Sequence, residues 1–270
     1  MTYTGQPFPA DDPLVDFVIP AHEDNVMRDR NTGEHKPINR ARGFCVHTPE
    51  EAADNVEVTP YYFSRKIYDQ QGRQRFASTT FYGDNSGPLY QMVPVRFGAI
   101  ANGVNGKPYP AWADPNVSLN YQTESIELEG YAATIHLTCP RGGPQWTKTA
   151  RLLASRSVAK GWPLVRERVI GHYEVAIDRT DPGNLDLNAL VEDARGFLTG
   201  AILKEAAMIR WVTAGVYGRD KTYLVFVTEA GLRRMHIKDA AQENALLAAG
   251  LIKKPVTKIT QAQLDQYADV

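Results

Sequence analysis

Two short apolar runs constrain the fold of this chain more than any other feature. "GFCVH" (residues 43–47) and "RERVIGH" (166–172) are rich in β-formers, and each ends in a histidine. The segments around them switch between strand and helix texture. "TPEEAADN" (48–55) has a capping threonine, a proline at the first helical position and acidic residues in the first turn, so it predicts a helix start. "STTFYGDNSGPLYQMVP" (78–94) is two β-rich runs around a turn signal, which predicts a hairpin. "ESIELEGYAATIHL" (124–137) alternates like a strand. From Gln145 to Lys160 the apolar spacing is helical, with Trp146, Ala150, Leu153 and Val158 on one face and Gly161 as the stop. "LDLNALVEDARGFL" (185–198) predicts an amphipathic helix burying Leu187, Leu190, Val191 and Ala194. Strands alternating with helices place the chain in the α/β class, a sheet covered by helices.

The ends read differently. Residues 1–40 are an irregular arm broken by Pro7, Pro9, Pro13, Pro20 and Pro37. Residues 41–204 form the main domain, and 205–270 a small α+β module. In that module "KTYLVFVTEAGLRRMHI" (221–237) predicts two strands around a turn, and "DAAQENALLAAG" (239–250) and "TQAQLDQY" (260–267) predict helices. A hydrophobic fraction of 43% suffices for packed cores. The formal net charge of −1 lacks the basic excess of nucleic-acid binders, so no nucleic-acid partner is expected. Two cysteines, Cys45 and Cys139, cannot staple a disulfide scaffold, although one bridge stays open; they fit a reducing compartment. The proline-rich, acidic N-terminus is unlike a Sec signal peptide, and no apolar stretch approaches a membrane span.

If the histidine-terminated strands are neighbours in one sheet, both imidazoles emerge at the same end. The loop after His172 then delivers Asp181. Two imidazole nitrogens and one carboxylate make a three-ligand site with one open position, the arrangement of catalytic rather than structural zinc. A bland reading stands beside it: His47 as a core histidine at a strand end, and Asp181 in an ordinary acidic loop. Cys45 reads as a small buried hydrophobe. His136 and Cys139 have metal-like spacing, but two ligands make no site.

"GFCVHTPE", "GPLYQMVP", "ESIELEG" and "VIGHYEVAIDRTDPG" together resemble, in order and spacing, the motifs of the type 2, zinc-dependent N-acetylmuramoyl-L-alanine amidases, a family related to the peptidoglycan recognition proteins. The resemblance covers residues 40 to 200. "HTPE" and "GAIANG" look most like the amidase domains of bacteriophage endolysins directed at actinobacteria. The family implies a mixed sheet flanked by helices, with one Zn²⁺ in a surface groove held by His47, His172 and Asp181. It implies Glu127 as the catalytic glutamate, and Arg179 at a position where the family often has lysine. The implied partner is bacterial peptidoglycan. The implied route is a lysin made in a host cytoplasm that reaches the wall by holin release or on a virion. Arg233, Arg234 and Lys238 would be either a solvated face or a contact with anionic wall polymer. Two places depart from the family: Thr80 and Phe81 replace an aromatic–histidine or histidine–tyrosine pair, and "GAIANG" (98–103) replaces a Trp-His step. Two other functions stay open: a non-catalytic peptidoglycan binder on the same fold, and an intracellular muropeptide-recycling amidase.

Overall fold

The computed structural model describes residues 3–206 apart from 30, 36, 38 and 52–57. Beyond them it describes segments 210–216, 219–228, 231–237, 257–259 and 268–269, with side chains to residue 198. The strands in chain order are β1 (Phe17–Val18), β2 (Gly43–His47), β3 (Ile67–Tyr68), β4 (Gln74–Arg75), β5 (Phe81–Gly83), β6 (Leu89–Gln91), β7 (Thr123–Leu128) and β8 (Val169–Gly171). The helices are α1 (Val58–Phe63), α2 (Ile135–Thr138), α3 (Pro144–Lys160) and α4 (Leu187–Ala206). The chain divides into two compact units, Met1–Arg195 and Gly196–Val270, and the division falls within α4.

The first unit is built on a six-stranded mixed sheet in the order β1-β6-β5-β7-β2-β8. β5, β7, β2 and β8 run parallel to one another, and β6 is antiparallel to β5. The β5–β6 hairpin closes where predicted, with the Gly87 amide donating to the Asp84 carbonyl at 3.0 Å. β2 is buried along its whole length, as expected of a central parallel strand. Gly43 opens it because a side chain there would collide with the Arg168 carbonyl and the Trp112 ring.

Four expectations need correction. Thr48–Glu51 carry no helix. The Thr48 hydroxyl donates to the Glu50 carboxylate at 2.7 Å, and Glu50 takes a left-handed φ of 59°, which no right-handed helix can pass through. Ala52–Asn55 lie outside the described residues. The strand expected over 124–137 stops at Leu128, because Gly130 turns the chain at a φ of 134°, and Ile135–Thr138 form one helical turn. Arg166–Arg168 are a 3₁₀ turn, and only Val169–Gly171 join the sheet. Val158 is 65% exposed. It lies twelve positions past Trp146, about 120° round a helix of 3.6 residues per turn, so it misses the buried face. Gly161 ends α3 in the left-handed conformation, as its position predicts.

The N-terminal arm is irregular, yet it is stitched to the sheet. β1 pairs in parallel with β6, and the Asp11 carboxylate accepts from Gln91 Nε2 and the Val95 amide. Tyr3, Ala21 and Val26 join Phe63, Tyr82 and Met92 in one apolar cluster. On the α3 side of the sheet Arg156 makes two hydrogen bonds to Glu124, at 2.8 and 3.0 Å, with Asp12 completing the ion group. Among the described residues no helix is long and apolar enough to cross a membrane.

The second unit has a five-stranded sheet, with β9 (Arg210–Val216), β10 (Arg219–Thr228) and β11 (Gly231–Ile237) as an antiparallel meander. β12 (Thr257–Ile259) and β13 (Ala268–Asp269) flank it in parallel. The strands expected within 221–237 are present. Glu229, Ala230, Lys238 and the helices expected at 239–250 and 260–267 lie outside the described residues.

Arg156 and Glu124 are almost wholly buried, so breaking the pair strands a charge. Arg156→Ala is expected to cost about 3–5 kcal/mol of stability, read from denaturant melts of the full-length protein.

Candidate metal centre

Strand register assembles the site. β2 lies between β7 and β8, with His47 opposite Glu127 and Val46 opposite Gly171. Directly paired residues point to the same face, so Glu127 and His47 stand side by side at the sheet's C-terminal edge. His172 follows β8 at the same end and begins a 3₁₀ turn. Gly171 is required before it, since a side chain there would meet the Tyr173 ring and Pro182. The "TDPG" loop then folds back, and the Tyr173 amide donates to the Asp181 carbonyl at 3.0 Å. Gly183 takes a positive φ of 64° to complete that turn.

The three atoms that meet are His47 Nδ1, His172 Nδ1 and Asp181 Oδ2. Candidate ligand atoms of these residues all lie within 4.8 Å of one another. Oδ2 is 2.9 Å from His47 Nδ1 and 3.3 Å from His172 Nδ1. The ligand-to-ligand edge of a tetrahedral site with bonds of about 2.0–2.1 Å is about 3.3 Å. All three residues are buried. The far nitrogens have partners of their own: His47 Nε2 lies 2.7 Å from Asn102 Oδ1, and His172 Nε2 lies 3.2 Å from the Gly103 carbonyl. A carbonyl only accepts, so His172 Nε2 carries the proton and, in the neutral ring, Nδ1 is bare. A bare nitrogen facing a carboxylate oxygen repels it unless a cation lies between them. Extra protons could serve, but burial pushes the His47 imidazole down, against the pull of Asp181. Burial alone would raise Asp181; donation and positive charge from protonated imidazoles would outweigh it and hold the carboxyl well below its usual range, so the site favours positive charge beside that oxygen. The donor set therefore fits a divalent metal, and zinc's preference for nitrogen and oxygen ligands matches it.

Glu127 is half-buried, and its Oε2 is shielded from solvent with no hydrogen-bond partner among the described residues. Burial raises its carboxyl well above the usual value, and the negative charges of Asp181, Glu51 and Glu50 add to the rise. Arg179 opposes it. Arg179 is exposed on the loop before Asp181, and its charge reaches both Glu127 and Asp178. The structure thus brings His47, His172 and Asp181 together, sets Glu127 alongside, and leaves Arg179 at the rim.

Sequence reasoning missed Asn102, Gly103 and Tyr82. Asn102 and Gly103 lie in the loop read only as a departure from the family. Tyr82 is paired with Glu127 across β5–β7, and its buried hydroxyl donates to Glu51 at 2.8 Å. The alternation of "TFYG" was the available signal for Tyr82. The cysteines are free and buried: burial pushes Cys139 up to about 12 and Cys45 well above its usual value, so neither thiol is a ligand-ready thiolate near neutral pH. His136 is exposed and meets Asn184.

No protein-family model matches this chain, and no curated protein does. Among solved structures, the selenomethionine derivative of AmpD is 16% identical, covering 72% of this chain and 98% of that one at a TM-score of 0.44. The endolysin N-acetylmuramoyl-L-alanine amidase LysCS from Clostridium intestinale URNW is 14% identical, covering 68% and 97% at 0.42. Drosophila peptidoglycan recognition protein SD is 15% identical, covering 65% and 92% at 0.36. Likenesses this distant carry no inference about activity, which rests on the side chains.

Both shifts at the centre have one sign: the folded state holds fewer protons than the unfolded state. The His47 contribution is full above about pH 6.5, the unfolded histidine value, and is lost as pH falls through the folded value. Stability of the metal-free protein is expected to fall between about pH 7 and 5, and His47→Gln to flatten that slope, read from denaturant midpoints against pH. Asp181→Ala is expected to abolish stoichiometric zinc uptake, measured by elemental analysis.

Proposed function

We propose that this protein is a zinc-dependent amidase that hydrolyses the bond between N-acetylmuramic acid and L-alanine in bacterial peptidoglycan. The observation that carries the reading is the convergence of two Nδ1 atoms and one carboxylate oxygen beside a shielded Glu127 oxygen that has no hydrogen-bond partner among the described residues. The choice of bond comes from the resemblance of the four motifs; the chemistry comes from the residues. Zinc held by His47, His172 and Asp181 would supply Lewis-acid polarisation of the scissile carbonyl and lower the pKa of water from about 15.7 to about 7.

The chain's own groups do the rest. Glu127 takes a proton from the attacking water as its oxygen bonds to the carbonyl carbon. When the carbon–nitrogen bond breaks, Glu127 returns that proton to the leaving amine of alanine. Burial and the surrounding negative charge raise the Glu127 carboxyl, which favours its holding the proton between the two transfers. Arg179 stays charged and cannot shuttle protons, so its role is to offset negative charge developing on the carbonyl oxygen. The resemblance of "HTPE" and "GAIANG" to endolysin amidase domains extends the proposal to a phage lysin, made in a host cytoplasm and acting at the wall, with residues 205–270 as an accessory wall-binding or assembly module. The intact donor set favours hydrolysis over a purely binding role.

The test is digestion of purified peptidoglycan by the full-length protein. New N-terminal alanine should appear, vanish with chelator and return with zinc. Zinc-loaded protein that sediments with the wall and releases no amine would overturn the assignment. Glu127→Gln should retain zinc and lose about 10²-fold or more in turnover.

A further inference from the structure

We propose that Asn102 and Thr123 are positioning residues for the metal centre, because a one-way hydrogen-bond chain through them decides which nitrogen of His47 is bare. The proposal deepens the zinc reading and rests on it. The chain is anchored at the Leu119 carbonyl, which can only accept. Thr123 Oγ1 lies 2.7 Å from it, so the single hydroxyl proton is committed there. Thr123 Oγ1 is then an acceptor for its other neighbour, Asn102, 2.5 Å away. Asn102 must therefore turn its Nδ2 amide toward Thr123, which aims Oδ1 at His47 Nε2. An amide oxygen only accepts, so His47 Nε2 carries the proton. In the neutral ring Nδ1 is left bare, facing Asp181.

Burial makes the direction binding. Asn102, Thr123 and His47 are each no more than 2% exposed, so bulk water cannot offer a flipped amide new partners. The loop itself is fixed by Asn120, whose Oδ1 accepts from the Ala101 and Asn102 amides at 3.1 and 2.7 Å. Asn120 and Thr123 flank the start of β7, the strand that carries Glu127. One short segment therefore orients a metal-facing imidazole and presents the acid–base candidate.

The experiment uses the full-length protein, with zinc affinity measured by chelator competition and ¹⁵N NMR of the His47 ring in the metal-free state. Asn102→Leu removes the acceptor and should weaken zinc binding about 10- to 100-fold. Thr123→Val keeps the shape, frees the Asn102 amide to flip, and should weaken binding about 10-fold. Thr123→Ser restores donor and acceptor and should bind within about twofold of the parent. The His47 Nε2 proton should be present and slow to exchange in the parent and in Thr123→Ser, and exchange fast in Asn102→Leu. Parent-like zinc affinity in both Asn102→Leu and Thr123→Val, with unchanged melting, would overturn the proposal. So would a parent His47 whose Nε2 lacks a proton. A parent that takes up no zinc would overturn the metal reading itself, and the Nε2 proton would then decide the chain's direction alone.

Discussion

The parallel pairing of β2 with β7 on one side and β8 on the other is the constraint on which the site depends. A parallel sheet brings the C-terminal ends of its strands to one edge, so residues far apart in sequence meet there without a dedicated loop. His47 and Glu127 are a direct cross-strand pair, and β8 ends one step further along the same edge. Because side chains alternate, a one-residue slip of β7 would turn Glu127 to the α3 face and Glu124 to the site face. The buried Arg156–Glu124 pair opposes that slip, since it would leave Arg156 without its carboxylate. An ion pair on one face of the sheet thus guards the register that the other face uses.

Much of this was legible in the sequence, for physical reasons. Apolar runs ended by a polar residue mark buried strands, and the Leu187–Leu190–Val191–Ala194 stripe marks a helix by its period. The histidines were readable because each ends such a run, and Asp181 because turn formers surround it. Other features were hidden. The absence of helix over Thr48–Glu51 follows from the left-handed φ of 59° at Glu50, a backbone conformation that a non-glycine residue does not announce in sequence. The arm's place in the sheet rests on two residues of β1 and on Asp11, too short a pattern for periodicity to reveal. Asn102 was hidden because its partners, His47 and Thr123, are close to it only in space.

The electrostatics around Glu127 have a consistent logic. Asp181, Glu50 and Glu51 all push its carboxyl up, and Arg179 alone among the named charges pulls it down. A carboxylate among like charges, with one oxygen out of water, holds a proton more tightly than a solvated one. Glu51 is itself tied by the Tyr82 hydroxyl and by Thr59, so its charge is held in place rather than free to swing away. A divalent cation at the centre would act in the opposite sense. Arg179 at the rim lowers the Glu127 carboxyl without competing for its proton.

The loop that carries Asn102 and Gly103 is held by the turn after β8. Asn105 and Gly106 bridge to Ala176, and the Asn105 and Ile177 amides donate across to Val175 and Asn105 carbonyls. These bonds zip the loop onto the turn that begins at His172, which puts the Gly103 carbonyl on His172 Nε2 while Asn102 meets His47. Two adjacent residues therefore orient both imidazoles from one backbone segment. A backbone carbonyl cannot be changed by substitution at Gly103, whereas the Asn102 amide can reverse itself at almost no change in shape. His47 is thus the imidazole whose orientation depends on side-chain chemistry, and the chain to Leu119 is what removes that ambiguity.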